Sequence, residues 1–123
     1  MSYINFYNGR VTEGGTNGKL VNSGNKITAV VKKGTEVSQV LAIRCEEGYT
    51  TNKDVVLSFE NGNNKWCFEV NGVKGEYGAP ITLTNVGTAN KLFTLYTTAT
   101  SDESPKIDKT VKINIDTEVI PTA

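Results

Sequence analysis

Histidine is missing from all 123 residues. That absence removes the commonest general base, the Ser-His and Cys-His nucleophile couples, and the usual zinc ligand. An excess of either charge is missing too, since 13 lysines and arginines balance 13 aspartates and glutamates. Lys32-Lys33 is the sole adjacent basic pair. No basic stripe is therefore available for nucleic acid or an anionic membrane. No apolar run approaches the length of a membrane span, and residues 1–9 have neither the basic nor the apolar part of a secretion signal. The expectation is a soluble chain made without a signal peptide.

Cysteine is scarce, with two in the chain. Cys45 is in register with Leu41 and Ile43, whereas Cys67 is out of register with Trp66 and Phe68. One thiol faces the core and the other the opposite side, so two free thiols in a reducing compartment are expected rather than a bridge. With two cysteines and no histidine, a zinc site would need carboxylates for its remaining ligands, an uncommon structural set. No cofactor and no metal is expected.

What the chain does contain is alternation. Val111, Ile113 and Ile115 alternate with Lys112, Asn114 and Asp116, and Thr117 and Val119 continue the apolar parity. A period of two means a strand with one buried and one wet face. The same pattern recurs at Ile27, Ala29 and Val31; along 37–45; at Val55, Leu57 and Phe59; at Trp66, Phe68 and Val70; at Ile81 and Leu83; and at Phe93 and Leu95. Turn signals separate these runs. Asn71-Gly72 suits a two-residue type I′ hairpin, because both residues tolerate positive φ. Seven or eight short strands with no helical stretch predict an all-β chain, an immunoglobulin-like antiparallel β-sandwich.

The predicted core is Ala29, Val31, Leu41, Ile43, Leu57, Phe59, Trp66, Phe68, Leu83, Phe93, Leu95, Val111, Ile113 and Ile115. Residues 1–25 read differently. Glycines 9, 14, 15, 18 and 24 lie among Thr, Asn and Ser, with little apolar surface beyond Val11, Leu20 and Val21. Such a stretch cannot offset its ordering entropy alone. One reading is a first strand followed by a flexible surface loop; the reading adopted is a flexible N-terminal arm over 1–25, with Ile4, Phe6 and Tyr7 as an apolar anchor that orders against a partner subunit. The sandwich then occupies 26–123.

Candidate chemistry is thin. Glu46 and Glu47 are neighbours, and side chains adjacent along a strand point to opposite sides of a sheet, which is unfit for a glycosidase pair. Asp102, Glu103 and Asp108 surround Pro105 as an acidic turn, with calcium as the alternative. Gly14-Gly15 lacks the residues of a phosphate loop. Tyr49 and Tyr77 lie among Gly and Thr and are the candidate ligand-contact aromatics, as for a sugar. No catalytic residue is assigned, and the chain is read as a non-enzyme.

The remaining distinctive residues are Ile4-Asn5-Phe6-Tyr7-Asn8-Gly9 with Val11-Thr12 and Gly14-Gly15-Thr16, then Leu41-Ala42-Ile43-Arg44-Cys45 with Gly48-Tyr49, then Ala99-Thr100-Ser101-Asp102-Glu103 with Pro105. In this combination the chain resembles small immunoglobulin-like structural proteins of tailed phages and prophages of Gram-positive bacteria. The resemblance implies a virion protein, either a capsid decoration or a tail or baseplate accessory, made in the bacterial host cytoplasm. Its implied partners are other virion proteins or further copies of itself, with a host-surface glycan as an additional candidate and no nucleic acid. The chain departs from antibody domains in having no cysteine over 92–98, while Trp66 matches their core tryptophan. A carbohydrate-binding or cell-surface adhesion module is the alternative function.

Overall fold

The alternating runs become strands in the computed structural model, which describes residues 3–32, 34–99 and 106–122, with backbone alone at 62 and 106–109. Among these residues the chain is all-β, relieved only by a 3₁₀ turn at Glu60–Gly62. The strands are β1 (Ile4–Asn8), β2 (Lys19–Leu20), β3 (Ile27–Lys32), β4 (Glu36–Cys45), β5 (Tyr49–Thr51), β6 (Val55–Phe59) and β7 (Trp66–Val70). They continue as β8 (Val73–Lys74), β9 (Ile81–Leu83), β10 (Lys91–Thr98), β11 (Lys106–Val111), β12 (Ile113–Asp116) and β13 (Val119–Pro121). All described pairings are antiparallel.

Six strands form one sheet in the order β2-β1-β4-β10-β7-β8. Opposite it lie shorter ladders: β11-β3, β12-β6-β9 and β13-β5. The C-terminal ribbon thus changes partner twice, and the terminal alternation read as one continuous strand is interrupted. The first change falls at Lys112, whose carbonyl accepts a hydrogen bond from the Glu60 amide at 3.0 Å and so hands the ribbon from β3 to β6. The apolar parity survives the change. Val111 is buried and Ile113, Ile115 and Val119 are half-buried against the core.

The two layers meet through phenylalanines. Phe59 of β6 stacks on Phe68 of β7 with ring centroids 4.3 Å apart, and Phe93 of β10 packs edge-on against both Phe68 (6.0 Å) and Phe6 of β1 (5.8 Å). Offset and edge-on pairs suit the ring quadrupole. Trp66, Leu41, Ile43, Leu57 and Leu95 are buried as expected. Ala29, Ile113 and Ile115 are only half-buried. Ile113 and Ile115 stand on β12, an edge strand with a neighbour on one side only. The hairpin between β7 and β8 turns at Asn71 (φ 53°) and Gly72 (φ 80°), the positive-φ pair expected there.

The division at residue 25 does not hold. β1 pairs along β4, with Ile4 opposite Cys45 and Phe6 opposite Ile43. Ile4 and Phe6 are 9% and 8% exposed and belong to the chain's own core, so neither is free to anchor on a partner. The glycine-rich stretch is held by hydrogen bonds rather than by its own apolar residues. The Gly14 amide donates to the Asn90 carbonyl at 2.9 Å, the Asn90 amide donates to the Gly15 carbonyl at 2.7 Å, and the Val21 amide donates to the Phe6 carbonyl at 2.9 Å. Gly18 takes φ +112° with Val11 and Tyr7 so near that a side chain there would clash. The acidic turn at Asp102 and Glu103 lies outside the described residues, and Asp108 enters only as backbone of β11, opposite Val30.

Candidate functional site

β4 and β10 pair over eight residues, from Lys91 opposite Ile43 to Thr98 opposite Glu36. Since Leu41, Ile43, Phe93, Leu95 and Thr97 are buried, strand parity turns Ser38, Val40, Leu92, Thr94 and Tyr96 to the other face. Val40 is 46% exposed there. The centre of the six-stranded sheet therefore displays a small-residue, weakly polar outward face.

Polar clusters close both ends of this face. At one end the Arg44 guanidinium lies 3.5 Å from the Tyr7 ring centroid, a cation-π arrangement. Its Nη1 donates to the Asn90 Oδ1 at 2.6 Å and to the Asn17 carbonyl at 2.8 Å. Asn90 is buried, and its Nδ2 donates to the Asn17 Oδ1 at 2.9 Å and the Thr12 carbonyl at 3.2 Å. These bonds lay the loop over residues 9–18 across the sheet end.

At the other end Lys74 reaches back over the sheet. Its ammonium sits 4.2 Å from the Tyr96 ring centroid and donates to both Glu36 carboxylate oxygens at 2.8 Å. The Tyr77 hydroxyl donates to the same carboxylate, and the Tyr96 hydroxyl donates to Glu69 at 3.1 Å. The loop after β8 is pinned along β7, with the Gly75 amide donating to the Phe68 carbonyl at 2.8 Å and the Gly78 amide to the Trp66 carbonyl at 2.9 Å. Cys67, on the outward parity of β7, is fully buried beneath this cluster.

The electrostatics follow from these contacts. Lys74 and Tyr77 hold the Glu36 carboxyl below its usual range, and Glu36 in turn raises Lys74. Burial and the bond to Glu36 push the Tyr77 phenol up. Burial raises both thiols, Cys45 and Cys67, which are not in a disulfide and stay protonated at neutral pH. A protonated thiol is a poor nucleophile. Among the described residues no three cysteines or carboxylates converge as a metal site, and no helix is long and apolar enough to cross a membrane.

The expected site residues are dispersed. Tyr49 is on β5, half-buried and stacked on Tyr3 at 4.2 Å, with a hydrogen bond to Tyr3 raising its phenol. Tyr77 belongs to the Lys74–Glu36 cluster, so its hydroxyl is already engaged. Of the expected anchor, Ile4 and Phe6 point inward and only Tyr7 faces out, under Arg44. Glu36, Lys74 and Asn90 were not singled out from the sequence. Parity alone could have placed Glu36 and Tyr96 on one face, whereas the reach of Lys74 over two intervening strands has no local sequence signal. Comparison with protein-family models, curated proteins and solved structures found no match.

Proposed function

We propose that this chain is a non-catalytic structural module, an immunoglobulin-like sandwich of a phage or prophage particle, acting as a capsid decoration or a tail or baseplate accessory. Assembly runs through the outward face of β4 and β10 rather than through an N-terminal arm. The observation that carries the reading is that face itself. Ser38, Val40, Thr94 and Tyr96 lie side by side on the longest ladder of the fold, and the groups around it are tied to one another at both ends. A rigid display of small and aromatic residues is suited to protein contact without a large ordering cost. Among the described residues, the two thiols are protonated and the carboxylates are paired or at least partly solvent-facing, which favours binding over chemistry.

The glycan or adhesion reading keeps one specific support, the exposed Tyr3 ring stacked on Tyr49. The deciding experiment expresses tagged chain in a host producing the particles and measures its incorporation by mass spectrometry. Val40→Arg should abolish incorporation while leaving the circular dichroism spectrum unchanged. Normal incorporation of that variant, or absence of the wild-type chain from particles together with glycan binding lost in Tyr49→Ala, would overturn the proposal.

A further inference from the structure

A second site lies away from the outward face, where the two layers part. The β3-β11 ladder ends at Ile27 opposite Val111. Beyond that pair the layers part around a half-open pocket of about 490 Å³, whose apolar lining is Phe6, Val21, Ile27, Val111 and Ile113. Its outer wall is a tight hairpin in which Asn22 and Asn25 exchange both backbone hydrogen bonds, at 3.0 and 3.1 Å. The Asn25 Nδ2 also donates to the Asn8 Oδ1 at 3.0 Å, which fastens that wall to β1. The wall is therefore preformed.

Protein interiors ordinarily close such space by interdigitation, because unpaired lining atoms forfeit dispersion contacts. Here the volume falls within the range of small-ligand pockets, about 300–1,000 Å³. Its rim carries charge of mainly one sign. Lys26 precedes Ile27 and Lys112 follows Val111, the last pair of the ladder. Both line the cavity, where Glu60 is the one carboxylate. Neither lysine has an ion-pair partner among the described residues, whose single ion pair is Lys74–Glu36. Two ammonium groups on one rim favour an anionic ligand.

We propose that this cavity binds a single-chain amphiphile, with an aliphatic chain among Phe6, Val21, Ile27, Val111 and Ile113 and an anionic head between Lys26 and Lys112. The site is independent of the assembly face, so either proposal can fail alone. The occupant is a free amphiphile entering as a monomer, because an apolar-lined pocket of this volume takes up a chain whereas a bilayer surface needs an exposed apolar or basic patch.

The test titrates the intact chain calorimetrically with decanoate below its micellar concentration. One decanoate should bind per chain. Decyltrimethylammonium, of equal chain length and opposite charge, should bind about tenfold more weakly or worse, the loss expected when two charge-assisted contacts are exchanged for repulsion. The double variant Lys26→Gln/Lys112→Gln alters two exposed side chains and should keep the wild-type melting profile while losing about tenfold in decanoate affinity. Val21→Trp, which fills the half-buried wall, should abolish binding of both. No saturable decanoate binding, equal affinity for the cationic amphiphile, or an unchanged double variant would each overturn the site. So would binding to phosphatidylglycerol vesicles without binding of decanoate.

Discussion

The two layers of this molecule are built differently. One is a continuous sheet in which a ten-residue β4 and an eight-residue β10 form the centre, with the polar clusters around Arg44 and around Glu36 fastening both ends. The other is assembled piecewise by a C-terminal ribbon that visits β3, β6 and β5 in turn. A long ladder fixes register, and so can present a constant face. A ribbon that changes partner can leave a gap at the change, and a cavity of about 490 Å³ lies at the first of them, beside Lys112.

Removing residues 1–25 tests the contrast most severely. If β1 is integral to the continuous sheet, deletion exposes the β4 edge and takes Ile4 and Phe6 from the core, and cooperative urea unfolding should disappear. A separately folded sandwich would unfold as before. Next in size, Phe68→Ala in the continuous layer should cost about 3–5 kcal/mol, as for a buried phenylalanine. Ile115→Ala on the edge strand of the piecewise layer should cost about 1 kcal/mol, the typical effect of a partly buried position. Equal losses in urea titrations would erase the distinction between the layers.

Asn90→Ala sharpens the account of the loop over residues 9–18. It leaves the Arg44 guanidinium and the Asn17 side chain short of a partner, and unsatisfied groups of this kind cost about 1–3 kcal/mol. Trypsin or thermolysin should then cut first within 9–18. The smallest effect is the pH dependence of the Lys74–Glu36 cluster. Lys74 and Tyr77 lower the Glu36 pKa on folding, so its contribution is present above the ordinary glutamate range and lost as pH falls from that range through the lower folded value. Stability should fall more steeply over that window in the wild type than in Glu36→Gln.

Local pattern exposed much of the continuous layer. The alternation at Leu41 and Ile43, at Phe93 and Leu95, and the Asn71-Gly72 turn identified β4, β10 and the β7-β8 hairpin, because each is encoded by neighbours along the chain. β1 carries the same signature, with Ile4 and Phe6 alternating with Asn5 and Tyr7, yet the glycine-rich stretch after it suggested an arm. Its partner β4 is distant in sequence, and the hydrogen bonds to Asn90 span more than seventy residues. Val86 was likewise hidden in a connecting loop. It is buried because its amide donates to the Thr51 Oγ1 at 2.8 Å while its carbonyl accepts from the Thr51 amide at 3.0 Å. The same limit applied to the candidate site, since Tyr77 read as an exposed loop ring and is instead engaged by Glu36 from β4.

The assembly face can be read directly by hydroxyl-radical footprinting of the free chain and of the chain in purified particles. Leu92 and Tyr96, on the outward face of β10, should lose reactivity in the particle, while Tyr3 and Tyr49 beside β13 react as in the free chain. Protection of Tyr3 and Tyr49 with Leu92 and Tyr96 unchanged would contradict assembly through the continuous sheet.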